Sequence, residues 1–253
     1  SDRFKNLVYD PDNKYSVPYT WGTLGLIYNP TLIGGDVDSW GALFDSQYAG
    51  KTAMIGNPRD AMAAALKSLH LFKGTFTGYG EGFDLEAAPT RLQALIMFIR
   101  VLGEEEQALA WSGTTPFKDI EKGSQAEHYV GYAYEKGYTN GYTATSFKPA
   151  GAVNAYQYTE FVLRAMGYSS AANKDLSDTL LRAVNAGVLT DGDAAMLQSA
   201  AFLRAQLVYI SYYALEADLP DGSQSLADRL MDLGVFTRDE WLGSWKLVKS
   251  DRL

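Results

Sequence analysis

Apolar residues recur at every third or fourth position along most of the chain, the spacing of amphipathic α-helices that bury one face. Beyond about residue 60 this pattern is continuous and predicts a mainly α protein. Several segments end in glycine, the residue that most easily takes the left-handed conformation that ends a helix. The predicted helices are RLQALIMFIRVLG, QAEHYVGYAYEKG, AYQYTEFVLRAMG, LLRAVNAGVL, LRAQLVYISYYALEA and SLADRLMDLGVF.

Residues 1–57 have a different pattern, in which β-prone runs alternate with short helical ones. The run KYSVPYTWGTLGLIYN is rich in Val, Tyr, Thr, Trp and Ile and is typical of one or two strands. DSWGALFDSQYAG predicts a short helix, KTAMIGN a short buried strand, and Pro58 suits the first position of a helix PRDAMAAALKSLHLF. Together these predict a short N-terminal α/β segment followed by helices.

The helical region repeats one order of parts: helix, glycine turn, Phe, extended loop, cap residue and second helix. LHLFKGTFTGYGEGFDLEAAPTRLQALIMFIRVLG has this order, EKGYTNGYTATSFKPAGAVNAYQYTEFVLRAMG repeats it, and NAGVLTDGD begins a shorter third copy. Such repetition predicts neighbouring units that share one core. It argues against a phosphate-binding loop, which follows a strand and is not tripled. We therefore predict that Gly78, Gly80 and Gly82 form turns. Phe83 is predicted to enter the core beside them.

Composition excludes several classes of function. The formal net charge of -8 repels phosphate backbones, so nucleic-acid binding is not expected. The chain has no cysteine for disulfides, thiolate metal sites or thiol nucleophiles. His70 and His128 lie in different predicted helices without a His or Cys neighbour, and His128 is expected on a half-exposed helix face. No apolar run is long enough to span a bilayer. We predict a protein that is not an enzyme, with no catalytic residues, metal or cofactor.

Acidic motifs add no site to this prediction. The run Glu104–Glu106 follows a predicted helix end, and a charge run in that place is usually a solvated loop. The motifs DPDN and DGD resemble the start of a calcium loop. Neither continues with the spaced oxygen ligands and the terminal Glu that such a loop requires.

Short motifs in the three copies carry a resemblance to a known family. Phe117–Asp119 and, more weakly, Leu176–Asp178 open copies with an F-x-D pattern, and GYGEGF precedes a second helix. PTRLQ and FLRAQ stand where that family has Thr-Arg-Ala-Glu. Residues 58–253 thus resemble three S-layer homology modules, at approximately 58–110, 111–170 and 171–253. The resemblance implies three helix pairs in a pseudo-threefold bundle that binds anionic secondary cell-wall polysaccharide, outside the cell, on a Gram-positive type of wall.

Arg91 and Arg204 are the glycan-binding residues that this resemblance implies, with Thr90, Gly78 and Gly80 beside them. A guanidinium at the first turn of a helix can hold a carboxylate, and the free N–H groups there add positive potential. Pyruvate-bearing wall sugars offer such a carboxylate. A salt bridge between copies is the structural alternative for both arginines. A first-turn arginine is expected to support little of the core, so its removal is expected to leave folding nearly unchanged.

The second and first copies depart from the family pattern. Asn154 and Ala155 stand in place of Thr-Arg, so at most two of the three grooves keep the arginine. Gln125 stands where the family commonly has Trp, and His70 where a helix-ending Gly is usual. We therefore expect weaker wall binding than from three intact grooves.

A second resemblance covers residues 1–72. YSVPYTWGTLGLIYN, DSWGALFDSQYAGK and NPRDAMAAALKSL match, in order, one stretch of the extracellular polyamine-binding proteins of ABC transporters. The alternative function is therefore the substrate-binding component, or a fragment of it, of a polyamine transporter. Asp60 and Asn57 match carboxylates that hold ammonium groups in that family, and Trp21 and Tyr19 are candidate aromatic walls. Asn57 replaces an acid and only part of one lobe is covered, so polyamine binding is expected to be poor.

The N-terminal strands have a further consequence. Strands without their native sheet leave open edges and an unburied face. We expect them to pack on the repeats or to pair with another copy of the chain.

Overall fold

The computed structural model describes residues 58–73, 75–76, 81–170 and 172–248, together with 31, 34, 37, 42 and 45–48. The chain divides into two compact units, Ser1–Asp36 and Val37–Leu253, and all elements below belong to the second. The predictions for Tyr19, Trp21 and Asn57, and for Gly78 and Gly80, lie outside the described residues. So do the strands predicted before residue 58; of the helix predicted around residue 45, a 3-10 turn at Ser46–Tyr48 is described.

The described chain is mainly helical, as the hydrophobic pattern predicts. Two short strands, β1 (Thr75–Phe76) and β2 (Glu81–Gly82), pair antiparallel, so Gly82 lies in a strand and not in the predicted turn. Seven predicted helices are present, and α3, α7 and α10 are additional. Helices α1 to α10 span Pro58–Ser68, Arg91–Val101, Glu105–Ala110, Gln125–Glu135, Ala155–Met166, Thr179–Asn185, Asp191–Ser199, Arg204–Glu216, Leu226–Asp232 and Arg238–Leu247.

Helix ends follow the predicted residue types. Gly137 ends α4 with φ +75°, and His70 takes the same left-handed conformation, φ 63°, after α1. In both turns two backbone N–H groups then bond back to one carbonyl oxygen of the helix, that of Ala133 in α4 and that of Leu66 in α1. The prediction that His70 replaces a helix-ending glycine is confirmed.

Long-range packing joins helices from all three segments that the sequence predicts as copies into one core. The second helices of the copies, α2, α5 and α8, pack on one another. Each first helix packs on the second helix of a different copy: α4 on α2, α6 on α5, and α1 on α8. Phe98 of α2 lies at the centre, with its ring against Tyr138, Tyr158 and Phe161. Phe83 is buried in the same core, as predicted.

Glu104 lies in a different environment from the solvated loop that the sequence predicts. It immediately precedes α3 and accepts hydrogen bonds from the hydroxyls of Tyr132 and Tyr138, each at 3.0 Å. Burial is the largest cause that raises the pKa of both tyrosines, and the charge of Glu104 adds to it. Glu104 is thus a partly buried acceptor that joins α3 to α4, and the predicted solvated loop is wrong for this residue.

Glu105 is also part of the packed structure. Its Oε1 accepts from Arg100 Nε and from the Tyr129 hydroxyl, both at 2.7 Å, and Lys73 pairs with its other oxygen. Burial alone would raise the pKa of Glu105, but the hydrogen bonds from Lys73, Tyr129 and Arg100 outweigh it and lower the pKa to about 2. Of the acidic run, Glu106 alone is solvent-exposed as predicted.

Candidate functional site

The backbone around Arg91 is fixed by a helix cap and by a loop of the next copy. Thr90 caps α2 by accepting from Gln93 N at 3.2 Å, and the Gln93 side chain accepts from Thr90 N at 3.0 Å. This reciprocal pair is a capping box. Arg91 follows as the first helical residue, and its N–H donates to Gly151 O at 2.8 Å. The arginine is therefore held where two copies meet.

The Arg91 side chain is buried, with only 5% of the residue exposed. Its guanidinium carbon lies 4.9 Å from the ring centre of Phe147 and 5.2 Å from that of Phe161. Its Nη2 donates to Gly141 O at 3.2 Å, whereas its Nε is buried without a partner. These contacts make Arg91 a part of the core. The expectation that it supports little of the core is wrong.

No carboxylate of the described residues lies within ion-pair distance of Arg91 or Arg204. The alternative of a salt bridge between copies is therefore not found for either arginine in this part of the chain. Burial, with a smaller contribution from the charge of Arg164, lowers the pKa of Arg91 to about 10. At neutral pH the group is a buried, charged guanidinium, and none of the carboxylates in the described ranges is its partner.

A groove of about 960 Å³ opens above this guanidinium. It is lined by the loop 139–144 and by a face of α5, on which the lining residues recur at helical spacing. The exposed rings of Tyr134 and Tyr142 line it as well, with 44% and 52% of each residue exposed. A cation at the base with aromatic rings beside it suits an anionic, hydroxylated ligand. The α5 residues that line the groove are Gln157, Glu160, Phe161 and Arg164.

Glu160 organises the wall behind Arg164. It is 2% exposed, and its carboxylate accepts from Arg164 Nε at 3.1 Å and from Arg182 Nη2 at 2.7 Å. Arg164 Nη2 in turn donates to Asn173 O at 2.6 Å, which fixes a loop that lines the groove. Arg164 is thus neutralised by Glu160. Hydroxyl groups of Ser169 and Thr179 complete the shell around the carboxylate.

The F-x-D motif of the second copy positions the base of the groove. The Asp119 carboxylate accepts from Phe147 N at 2.9 Å, Lys148 N at 2.8 Å and Ser146 Oγ at 2.7 Å. Burial alone would raise the pKa of Asp119, but these hydrogen bonds lower it. The motif therefore holds the ring on which Arg91 lies.

Arg204 occupies the position in α8 that Arg91 occupies in α2. Its N–H donates to Ala87 O at 2.9 Å, the counterpart of the Arg91 contact with the second copy. The residue is 4% exposed, its Nε donates to Phe83 O at 3.0 Å and its Nη2 is buried without a partner. Phe72 lies below its guanidinium, with the ring centre 5.4 Å from the guanidinium carbon. Arg204 also belongs to the core, so the expectation that such an arginine supports little of the core is wrong here too.

The second copy lacks the arginine, as predicted. Asn154 caps α5 by accepting from Gln157 N at 2.9 Å, and Ala155 takes the first helical position. Of the candidate polyamine residues, Asp60 is described; it lies partly exposed in the first turn of α1 and does not line the groove. Sequence reasoning did not find the α5 face. The Glu160–Arg164 spacing is the signal that points to it, because residues four apart on a helix are neighbours.

Two other kinds of site are absent from the described residues. Their His, Cys, Asp and Glu side chains form no group of three or more that could hold a metal ion. None of the helices in this part of the chain is both long enough and apolar enough to cross a membrane.

The F-x-D motif and the loop 139–144 lie in a segment that family comparison recognises. Residues 116–154 match the S-layer homology domain. Residues 1–88 match the bacterial extracellular solute-binding protein. Both resemblances noted in the sequence are confirmed by these matches. Together they indicate a cell-surface or extracellular protein.

The similar proteins fall into two groups, polyamine-binding proteins and a cell surface protein. The spermidine/putrescine-binding periplasmic protein of Escherichia coli is 29% identical over 104 residues, 41% of this chain and 29% of that protein. A putrescine-binding periplasmic protein of Pseudomonas aeruginosa, SpuD, is 37% identical over 73 residues, 24% of this chain and 20% of that protein. A cell surface protein of Thermoanaerobacter kivui is 25% identical over 230 residues, 75% of this chain and 30% of that protein. The chain thus spans less than a third of the length of these relatives.

Proposed function

We propose that this chain is a non-catalytic cell-surface module that binds anionic secondary cell-wall polysaccharide in the groove above Arg91. The observation that carries the proposal is the buried guanidinium, which has no carboxylate partner among the described residues and lies at the base of an open groove. A buried charge without a counter-charge is unfavourable, and an entering anion removes that cost. A wall sugar with a pyruvate ketal would supply the anion.

The other charged groups near the groove favour an anion over a cation. Glu160 is already held by two arginines, which leaves the exposed Glu135 as one negative charge against the positive charges of Arg91 and Lys174 in the lining. Lys174 adds a second positive side chain to the lining. The chain is acidic overall, so this groove is a local exception and gives the ligand a defined place to bind.

Sugar recognition is supported by the rings beside the groove. Tyr134 and Tyr142 each expose about half of the residue, at 44% and 52%, and both line the groove. An aromatic face covers the C–H face of a sugar ring while the hydroxyls stay solvated. The matched S-layer homology segment, 116–154, contains both tyrosines.

The finer architecture belongs to the same proposal. We assign three copies to residues 58–110, 111–170 and 171–253 in a pseudo-threefold bundle on a Gram-positive type of wall. The support is the packing of α2, α5 and α8 on one another, and the equal backbone contacts of Arg91 and Arg204 with their neighbouring copies. Arg204 is a second glycan-binding position, and Thr90, Gly78 and Gly80 belong to the proposed glycan-binding residues on the evidence of the sequence.

Sedimentation with wall fragments tests this function. Gram-positive walls that carry their secondary polysaccharide would be treated with carbodiimide and methylamine, which converts carboxylates to neutral amides. The protein is expected to sediment with untreated walls and to stay in solution with the treated ones. Walls taken through the same steps without carbodiimide are the control. Equal sedimentation with amidated walls contradicts a carboxylate-directed site.

Polyamine capture is a second candidate, favoured by the match of residues 1–88 to the solute-binding family. Asp60, Asn57, Trp21 and Tyr19 are its candidate contacts. A polyamine needs several carboxylates and aromatic walls that close from two lobes. Because less than a third of the polyamine-binding relatives is covered, we expect spermidine and putrescine to bind poorly. Micromolar affinity in a calorimetric titration would place solute capture ahead of wall binding.

A further inference from the structure

Three glutamines occupy the same helical position but bond differently. Gln93 in α2 and Gln206 in α8 each accept a hydrogen bond from the backbone N–H of the cap residue, at 3.0 Å. Gln157 in α5 does not: its Oε1 is buried and has no hydrogen-bond partner among the described residues. This oxygen belongs to a side chain that lines the groove above Arg91.

Local folding does not account for the exception. The cap of α5 is intact, because Asn154 accepts from Gln157 N at 2.9 Å. The two other copies show that a glutamine in this position can reach back to the cap. A buried carbonyl oxygen without a donor is destabilising, and such groups in folded proteins are few and concentrate at functional sites. The described residues therefore offer no hydrogen bond that would stabilise the Gln157 carbonyl oxygen in its position in the groove.

We propose that Gln157 is a specificity-determining residue of the groove, whose amide binds a hydrogen-bond donor on the sugar ring that carries the anion held by Arg91. This inference rests on the proposed function. Gln157 and Phe161 are one helical turn apart on the same face, and Phe161 is one of the two rings beside Arg91. One turn rises ~5.4 Å, which is comparable to the width of a pyranose ring.

The pairing of a cation with a neutral acceptor selects one ligand chemistry. Arg91 attracts an anion, whereas the carbonyl oxygen of Gln157 repels anionic oxygens and accepts from hydroxyl or amide N–H groups. A phosphate, a sulfate or a bare carboxylate satisfies the first group and leaves the second unpaired. A sugar acid satisfies both, so the groove should prefer it to small anions of equal charge.

Gln157→Ala tests the inference with two probes in calorimetric titrations. The first is a methyl glycoside of an N-acetylhexosamine with a pyruvate ketal, and the second is free pyruvate. We expect the variant to bind the glycoside about threefold to tenfold more weakly, the worth of one hydrogen bond. Its affinity for pyruvate should equal that of the unmodified chain. Its melting temperature should not fall, because the substitution removes a buried oxygen that has no partner.

Gln206→Ala is the matched control for stability. It removes the hydrogen bond that Gln206 Oε1 accepts from Leu203 N. The melting temperature of Gln206→Ala should therefore fall, whereas that of Gln157→Ala should not. Unchanged affinity of Gln157→Ala for the glycoside overturns the inference and leaves the proposed function standing. Equal loss for both probes together with a lower melting temperature assigns Gln157 a structural role and also overturns it. If the unmodified chain binds neither probe, the proposed function and the inference fail together.

Discussion

Replacing Glu160 with Gln is expected to lower the free energy of unfolding by about 3–5 kcal/mol, the cost of breaking a buried ion pair from one side. The carboxylate is 2% exposed and accepts from both Arg164 and Arg182. Arg164 is itself 4% exposed, so its charge would remain in the interior without compensation. The NH₂ group of Gln cannot accept a hydrogen bond, so it would face an arginine N–H donor without pairing with it. Loss of this network should loosen the loop at Asn173 that lines the groove.

Urea unfolding followed by circular dichroism measures this effect. Asp178→Asn is the matched control, because Asp178 also pairs with Arg182, at 3.0 Å, but its side chain is 55% exposed. An exposed pair of this kind contributes about 1 kcal/mol or less, so the control should unfold almost as the unmodified chain does. A Glu160→Gln variant as stable as the control would show that the network does not stabilise the fold.

Arg91→Met is expected to abolish most wall binding without destabilising the protein. Methionine keeps an unbranched apolar stem beside Phe147 and Phe161 and removes a buried charge that no carboxylate in the described part of the chain pairs with. A charged hydrogen bond contributes about 1.5–3 kcal/mol, so affinity should fall by at least about tenfold. The melting temperature should stay level or rise, although the bond to Gly141 O is lost.

Sedimentation with untreated walls and a thermal melt measure the two effects of Arg91→Met. Arg59→Met is the control, because it removes the same charge from an exposed side chain that pairs with Glu86. It should bind walls as the unmodified chain does. If Arg91→Met binds walls normally but melts at a lower temperature, the arginine serves the fold and not the ligand.

Hydrophobic spacing and glycine stops were sufficient to find the long helices, because both act within a few residues. They did not find α7 and α10, although both are longer than the predicted helices α6 and α9. A different local signal marks both of them. Thr190 with Asp193 and Thr237 with Glu240 form capping boxes, and the Thr-x-x-Asp/Glu pattern is visible in the sequence.

The acidic run at Glu104 shows where local patterns stop being informative. Its two tyrosine partners, Tyr132 and Tyr138, belong to or directly follow α4. Nothing within a few residues of Glu104 distinguishes a partly buried, hydrogen-bonded carboxylate from a solvated one. The tertiary packing of α3 on α4 decides between the two.

Local sequence patterns do not reveal tertiary packing, and this explains which features of the site could be predicted. Repetition located Arg91 at a helix start, but its burial depends on Phe147 and Phe161, which come from the next copy. The role of Gln157 was invisible because its sequence position is the same as that of Gln93. The structure separates the two glutamines by their hydrogen bonds and not by their residue type.

Calorimetric titration of one sugar in two charge states tests the central claim most directly. The probes are the pyruvate-ketal methyl glycoside of an N-acetylhexosamine and its neutral methyl ester, titrated into the unmodified chain and into Arg91→Met. The unmodified chain should bind the acid at least about tenfold more tightly than the ester, and Arg91→Met should bind both equally weakly. Equal affinity of the unmodified chain for acid and ester, or undiminished discrimination by Arg91→Met, would contradict an anion site at Arg91.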